Sequence, residues 1–301
     1  MHIYLPIAEM SASIFVFLGM GAAVGFISGL FGVGGGFLIT PLMIFSGVPP
    51  PVAVGTSIAQ IVASSISGAI AQYKRNNVDF QLGLVLLLGG FLGLFLGVDV
   101  VRILRELGQF DVFISLCYVL FLGIIGSLML LKASTETSLV HHKSVEQIWF
   151  SKLPFKMRFH RSKLYISAIP PFIIGAFVGF LAAIMGVGGG FILVPALIYL
   201  LRVPTNIVVG TSLFQSVFLA SAATILHAGT IATVDIVLAS ILMIGGVVGA
   251  QFGASAGSQL KGEQLRFLLA TIVLLVCLRL GWDLLASPSE LYSLSAERGG
   301  A

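Results

Sequence analysis

Residues 25–41 read GFISGLFGVGGGFLITP, and residues 179–195 read GFLAAIMGVGGGFILVP. The two stretches align without a gap, and 9 of their 17 positions are identical. At the centre of each stands Gly-Val-Gly-Gly-Gly, residues 32–36 and 186–190. Such a run interrupts a helix, because a residue without Cβ gains little from helical backbone and loses the most freedom in it. The likeness continues downstream. With one residue inserted, Val48-Pro49 meets Val203-Pro204, and Gly55-Thr56-Ser57 with Gln60 meets Gly210-Thr211-Ser212 with Gln215. One residue later again, Val78-Asp79 meets Val234-Asp235, and Gly89, Gly90, Gly93 and Gly97 meet Gly245, Gly246, Gly249 and Gly253. The matches keep one order over most of both halves, so the chain is a duplication.

The 301 residues are 57% hydrophobic and only 9% charged, where a soluble domain carries about 25% charged residues. That composition cannot coat a water-soluble globule, and it excludes a cytosolic enzyme, a disordered scaffold and a nucleic-acid binder. The formal net charge of +4 comes from 16 Lys/Arg against 12 acids spread thinly. In a membrane protein such an excess reports orientation. Cys117 and Cys277 lie inside apolar runs and read as small core hydrophobes. Residues 1–9 hold no Lys or Arg, so the charged region of a secretory leader is missing; the apolar segment that follows recurs later and reads as structure.

Each half contains five apolar segments, about 12–31, 35–47, 51–73, 81–103 and 111–132, then 167–185, 189–201, 205–227, 235–256 and 264–286. The last three of each set are long enough to span a bilayer. The second of each set is not: its thirteen residues reach about 20 Å against a hydrocarbon core of about 30 Å. Each glycine-broken pair therefore reads as a re-entrant hairpin with its glycine tip at depth. The expected fold is an all-α polytopic membrane protein of two homologous, inverted repeats, each a broken glycine-tipped helix pair plus three transmembrane helices. The expected division is 10–132 for the first half, 133–165 for a basic cytoplasmic linker, 166–286 for the second half and 287–301 for a short tail. Seven Lys/Arg lie between Lys132 and Lys163. Inverted repeats put 12 basic residues on the linker's side and 4 on the other, whereas parallel repeats give 11 and 5; the positive-inside rule favours inversion.

The glycines Gly34, Gly35 and Gly36, with Gly188, Gly189 and Gly190, stand just before short helices. The first N–H groups of a helix lack internal partners and carry the positive end of its dipole, so these runs can receive a small anion. A plain hinge or close helix contact is the alternative. Thr56, Ser57 and Gln60, with Thr211, Ser212 and Gln215, follow prolines that suit helix starts. Counting inward at 1.5 Å per residue puts Gln60 and Gln215 about 15 Å deep and the glycine tips about 18 Å deep. Neutral hydroxyls and carboxamides can donate to an oxyanion, or they can tie helices together. The Gly21, Gly25, Gly29 and Gly89, Gly93, Gly97 series read as packing. Asp79 and Asp235 open segments, and His227 closes one where its repeat mate is Gln72; these three are candidates for proton coupling. His141-His142 reads as a solvated loop. No catalytic constellation and no metal cluster emerges.

The doubled Gly-Val-Gly-Gly-Gly-Phe, the proline that follows (Pro41, Pro195) and the Val-Gly-Thr-Ser after it resemble the sulfite exporter TauE/SafE family, also called the toluene-sulfonate uptake permease family. The resemblance covers roughly residues 10–285. It implies a permease of the bacterial inner membrane for sulfite, thiosulfate, sulfonates or related anions. It also implies that Gly34 to Gly36, Thr56, Ser57, Gln60 and their second-half mates line the anion path. The expected partners are a small anionic substrate, membrane lipid and a coupling proton or ion, with no cofactor, no metal and no nucleic acid. An anion-selective channel is a close variant. A non-transporting membrane scaffold or assembly factor is the alternative of a different class.

Overall fold

The computed structural model describes residues 2–8, 10–31, 35–107, 110–135, 156–159, 161–162, 164–231, 233–257 and 262–285. Gly34, His141 and His142 lie outside the described residues, as do most of the central linker and the tail. The first half runs through β1 (His2–Leu5), β2 (Met10–Ser13), α1 (Ile14–Phe31), α2 (Gly36–Phe45), α3 (Pro50–Lys74), α4 (Phe80–Glu106) and α5 (Phe110–Thr135). The second runs through β3 (Lys156–Phe159), β4 (Leu164–Ser167), α6 (Ile169–Met185), α7 (Gly190–Tyr199) and α8 (Thr205–Leu226). A π-helical turn at His227–Ile231 follows, then α9 (Ile236–Gly257) and α10 (Gly262–Leu285). The chain is an all-α polytopic membrane protein. All ten apolar segments are helices, each bounded within three residues of the ends read from the sequence.

Local chemistry sets the boundaries. Prolines open α3 and α6, where a missing N–H costs nothing. Asp79 caps α4 by accepting from Leu82 N–H at 3.2 Å, and Asp235 caps α9 by accepting from Val237 and Leu238 N–H at 3.1 Å each. Leu84, Leu88 and Leu92 of α4 and Leu116, Leu120, Ile124 and Leu128 of α5 are exposed at helical spacing. Those outward stripes suit lipid rather than water.

The halves are held together by exchange. The backbone of α1 lies on α9, with Gly21 on Leu242, Gly25 on Gly246 and Gly29 on Ala250. A Cβ at Gly25 would come within 2.3 Å of the Gly246 carbonyl oxygen, so only glycine permits this approach. In the other seam, α6 lies on α4, with Gly175 on Leu86 and Gly179 on Gly90. Residue numbers rise together along both seams, so each pair of helices is parallel.

Two buried aspartates show how the chain turns. The Asp235 N–H donates to Thr56 Oγ1 at 3.1 Å, and Ile7 N–H, in the β1–β2 turn, donates to Asp235 Oδ2 at 3.1 Å. The broken pair α1–α2 thus leaves from Asp235 and returns to it. The Asp79 N–H likewise donates to Thr211 Oγ1 at 3.1 Å, and Ser162 donates to Asp79 Oδ2 through N–H at 3.0 Å and Oγ–H at 2.7 Å. The pair α6–α7 leaves from Asp79 and returns to it. Thr56 lies near the start of α3 and Asp79 just past its end. The two broken pairs therefore enter the bundle from opposite ends, and α3 and α8 run antiparallel.

Five described helices have the length and apolar composition of a membrane span: Ile14–Phe31, Pro50–Lys74, Phe80–Glu106, Thr205–Gly229 and Ile236–Gly257. The first of these is α1, the longer arm of the first broken pair.

The candidate site where the hairpin tips meet

Gly35 and Gly189, the residues before α2 and α7, hold φ of +78° and +80°. Side chains disfavour that left-handed backbone by about 1–2 kcal/mol, so glycine sets the angle at which each short helix starts. The tips then come together. Gly36 and Gly188 both press on the Ile61 side chain, and a Cβ at Gly36 would lie 2.7 Å from the Gly186 carbonyl oxygen. The rings of Phe37 and Phe191, repeat mates, stack with centroids 4.7 Å apart and planes 17° apart. Ile61 lies eleven residues past Pro50 in the 25-residue α3. At 1.5 Å per residue the tips meet about 16 Å along a helix of about 37 Å.

The second tip is bound by side chains from three directions. Ser57 Oγ shares its proton between Val54 O at 2.8 Å and Gly186 O at 3.1 Å, Ser216 Oγ donates to Gly188 O at 3.0 Å, and Tyr118 OH donates to Met185 O. His227 Nε2 lies 3.1 Å from Ala183 O. Thr40 Oγ1 donates to Ser57 Oγ at 2.7 Å, linking α2 to the same cluster.

The two glutamines occupy matched seats. Gln60 rests against Gly246, where a Cβ would be 2.5 Å from its Nε2; Gln215 rests against Gly90, where a Cβ would be 3.2 Å away. Gly90 and Gly246 are themselves repeat mates. Gln215 Nε2 donates to Leu86 O at 3.3 Å, leaving Oε1 unpartnered. Gln60 is completely buried, and neither Nε2 nor Oε1 has a partner. Ser28 Oγ, also completely buried and unpartnered, lies 3.5 Å from where a Cβ on Gly35 would be.

The residues singled out from the sequence thus separate into three groups. Gly36, Ser57, Gly188, Gly189 and Gly190 form the meeting point or border it, with Gln60 one residue from Ile61. Thr56 and Thr211 hold the Asp235 and Asp79 backbones at opposite ends of the bundle, and Ser212 Oγ donates to Val209 O at 3.0 Å. His227, Asp79 and Asp235 are dispersed: the histidine faces the end of α6, and each aspartate binds a β-hairpin turn. Ser28, Thr40, Tyr118 and Ser216 escaped the sequence reading, which searched for residues that recur; the mate of Ser28 is Ala182, and that of Ser216 is Ile61. No group of three or more His, Cys, Asp or Glu side chains that could hold a metal occurs among the described residues.

Two glycine-tipped broken helix pairs that meet partway along α3, inside a bundle of apolar helices of membrane-spanning length, have the architecture of a membrane transport protein. The chain belongs to the sulfite exporter TauE/SafE family, whose profile matches residues 17–280. It is 29% identical over 274 residues to the probable membrane transporter protein YjnA of Bacillus subtilis, covering 90% of this chain and 100% of that one. A probable membrane transporter protein of Xylella fastidiosa is 30% identical over 279 residues, covering 91% of this chain and 97% of its own. A sulfite exporter TauE/SafE family protein 5 of Arabidopsis thaliana is 32% identical over 85 residues, or 27% of this chain and 19% of its own. No solved structure matches.

Proposed function

We propose that the protein is a secondary transporter that carries a small sulfur-containing anion, such as sulfite, thiosulfate or an organosulfonate, and holds it where the hairpin tips meet. The observation that carries this reading is the Gln60 carboxamide, wholly buried with both polar atoms unpartnered. Leaving such a group unsatisfied costs about 1–3 kcal/mol, and a ligand that supplies the missing partner accounts for its presence. Its N–H groups can donate to an oxyanion. The start of α2 adds free backbone N–H groups and the positive end of a helix dipole, the device by which broken transporter helices bind anionic groups. Gly35, Gly36 and Ser57, with Gly188 to Gly190 and Gln215, form the surrounding wall.

A site of neutral donors binds an oxyanion without a fixed countercharge, which favours release as well as capture. The inverted halves then rock about the meeting point to open it alternately to each side. Inverted repeats put 12 of the 16 Lys/Arg on the linker's side, and by the positive-inside rule that side faces the cytoplasm of a bacterial inner membrane. The family name and the relatives' description as probable membrane transporters support the class. The test is uptake of sulfite, thiosulfate and ethanesulfonate by proteoliposomes. Gln60→Ala should lower the initial rate at least tenfold with a monodisperse, folded protein. Unchanged uptake of every one of these anions would sink the site.

A further inference from the structure

Building on that reading, we propose that the anion is bound and conducted by the first hairpin and the α1–α3–α9 seam alone, while the second hairpin is a pinned wall. Two independent observations carry this. The first is where unsatisfied polarity lies. Among the described residues, seven buried side-chain polar atoms lack a partner: Ser28 Oγ, Gln60 Nε2 and Oε1, Ser65 Oγ, Ser67 Oγ, Thr233 Oγ1 and Gln215 Oε1. Six of the seven belong to α1, α3 or the residues just before α9. Ser28 packs beside Gly35, the N-cap of α2, with its Oγ 3.5 Å from where a Cβ there would be. Ser67 lies seven residues past Gln60, two helical turns along the same face of α3. Thr233 Oγ1 is near Gly55 on the other side of Gln60, 2.6 Å from where its Cβ would be. Gln60 and Ser67 thus share one face of α3, while Ser65 and the Thr233 contact at Gly55 lie about 140° around the helix.

The second observation is what holds the second tip. Its carbonyls at Ala183, Met185, Gly186 and Gly188 each contact a side chain: His227, Tyr118, Ser57 and Ser216. Those contacts restrain the backbone and engage the side chains that could otherwise face a ligand. One of the four cannot recur in the first half, because the mate of Ser216 is Ile61, which has no donor. The second tip is tied down by these contacts, while the unpartnered groups among the described residues gather on α1, α3 and the approach to α9.

The experiment is thiol accessibility in proteoliposomes, in a background carrying Cys117→Ala and Cys277→Ala. Single cysteines are placed at Ser28 and Ser67 and at their mates Ala182 and Ala222, then exposed to 2-sulfonatoethyl methanethiosulfonate. Ser28→Cys and Ser67→Cys should react at least tenfold faster than Ala182→Cys and Ala222→Cys, and ethanesulfonate should slow them at least fivefold. Equal reactivity of the two sets, faster reaction at the mates or no reaction anywhere would overturn the one-sided path. If Ser28→Cys does not fold, Ser67→Cys against Ala222→Cys carries the test. One-sided labelling without protection by ethanesulfonate upholds the path and counts against a sulfonate as substrate, which separates the two ideas.

Discussion

Along the two glycine seams, each contact in one half has its counterpart in the other. Gly25 on Gly246 matches Gly179 on Gly90, and the Gly89, Gly93 and Gly97 contacts with α6 match those of Gly245, Gly249 and Gly253 with α1. At the meeting of the tips the counterparts part company: Ser28 faces Gly35 where the mate is Ala182, and Ser216 binds Gly188 where the mate is Ile61. Where helix backbones press closest the glycine recurs in both copies, as at Gly25 and Gly179 or Gly93 and Gly249, although Gly29 has Ala183 as its mate. Side chains around a ligand answer to the ligand, which is a single object with no need of two-fold symmetry. Symmetry persists where the chain packs on itself and lapses at the site proposed for the anion.

The seams give the strongest way to break that comparison. A Cβ at Gly93 would stand 1.8 Å from Ala176 O, and one at Gly249 would stand 2.1 Å from Ala22 O. The neighbour in each case is helix backbone, which can yield only by separating the two helices. Gly93→Ala and Gly249→Ala should each destabilise by at least about 1–3 kcal/mol, the usual cost of overpacking. Thermal unfolding in detergent should show comparable downward shifts for both. Gly19→Ala is the control, since nothing lies within 4 Å of its added methyl, and its midpoint should hold or rise. A Gly93→Ala midpoint equal to that of Gly19→Ala would remove the case for a shared seam.

A smaller effect is expected at the two aspartates. Asp79→Ala removes the acceptor for Leu82 N–H and for Ser162; Asp235→Ala removes it for Leu238 N–H and for Ile7. Each should cost about 1–2 kcal/mol, the scale of a lost helix cap. The same unfolding measurement reads both. Similar losses sharpen the picture of two equivalent nodes, and a silent Asp235→Ala would show that only one hairpin turn is fastened.

The helices were legible because apolar length, glycine runs and prolines punctuate this sequence at intervals that the bilayer dictates. The β-hairpins were not. His2–Leu5 and Lys156–Phe159 share no pattern, and their four-residue pairings are too short to show alternation. Ile7 enters the Asp235 node through its backbone N–H, a group that every residue except proline carries and no motif reveals. Thr56 and Thr211 were visible as a recurring pair, but recurrence cannot tell a hydroxyl that meets a ligand from one that meets a neighbouring Asp N–H. Recurrence also hid Ser28 and Ser216, since each lacks a like mate.

The smallest expected effect tests the asymmetry where it matters most. Gln60→Leu replaces a carboxamide whose two polar atoms are both buried and unpartnered with an apolar group of similar size. Removing an unsatisfied group in this way is neutral or stabilising, so the ligand-free variant should unfold at the wild-type temperature or a few degrees higher. Gln215→Leu instead gives up the 3.3 Å bond to Leu86 O and should lie below Gln60→Leu by about 0.5–1.5 kcal/mol. Uptake should rank the other way, with Gln60→Leu the more impaired. A residue whose removal helps the fold and harms transport has been kept for its ligand. If Gln60→Leu lowers the unfolding temperature as much as Gln215→Leu does, the carboxamide is a structural tie in both halves and the first hairpin loses its claim to the anion.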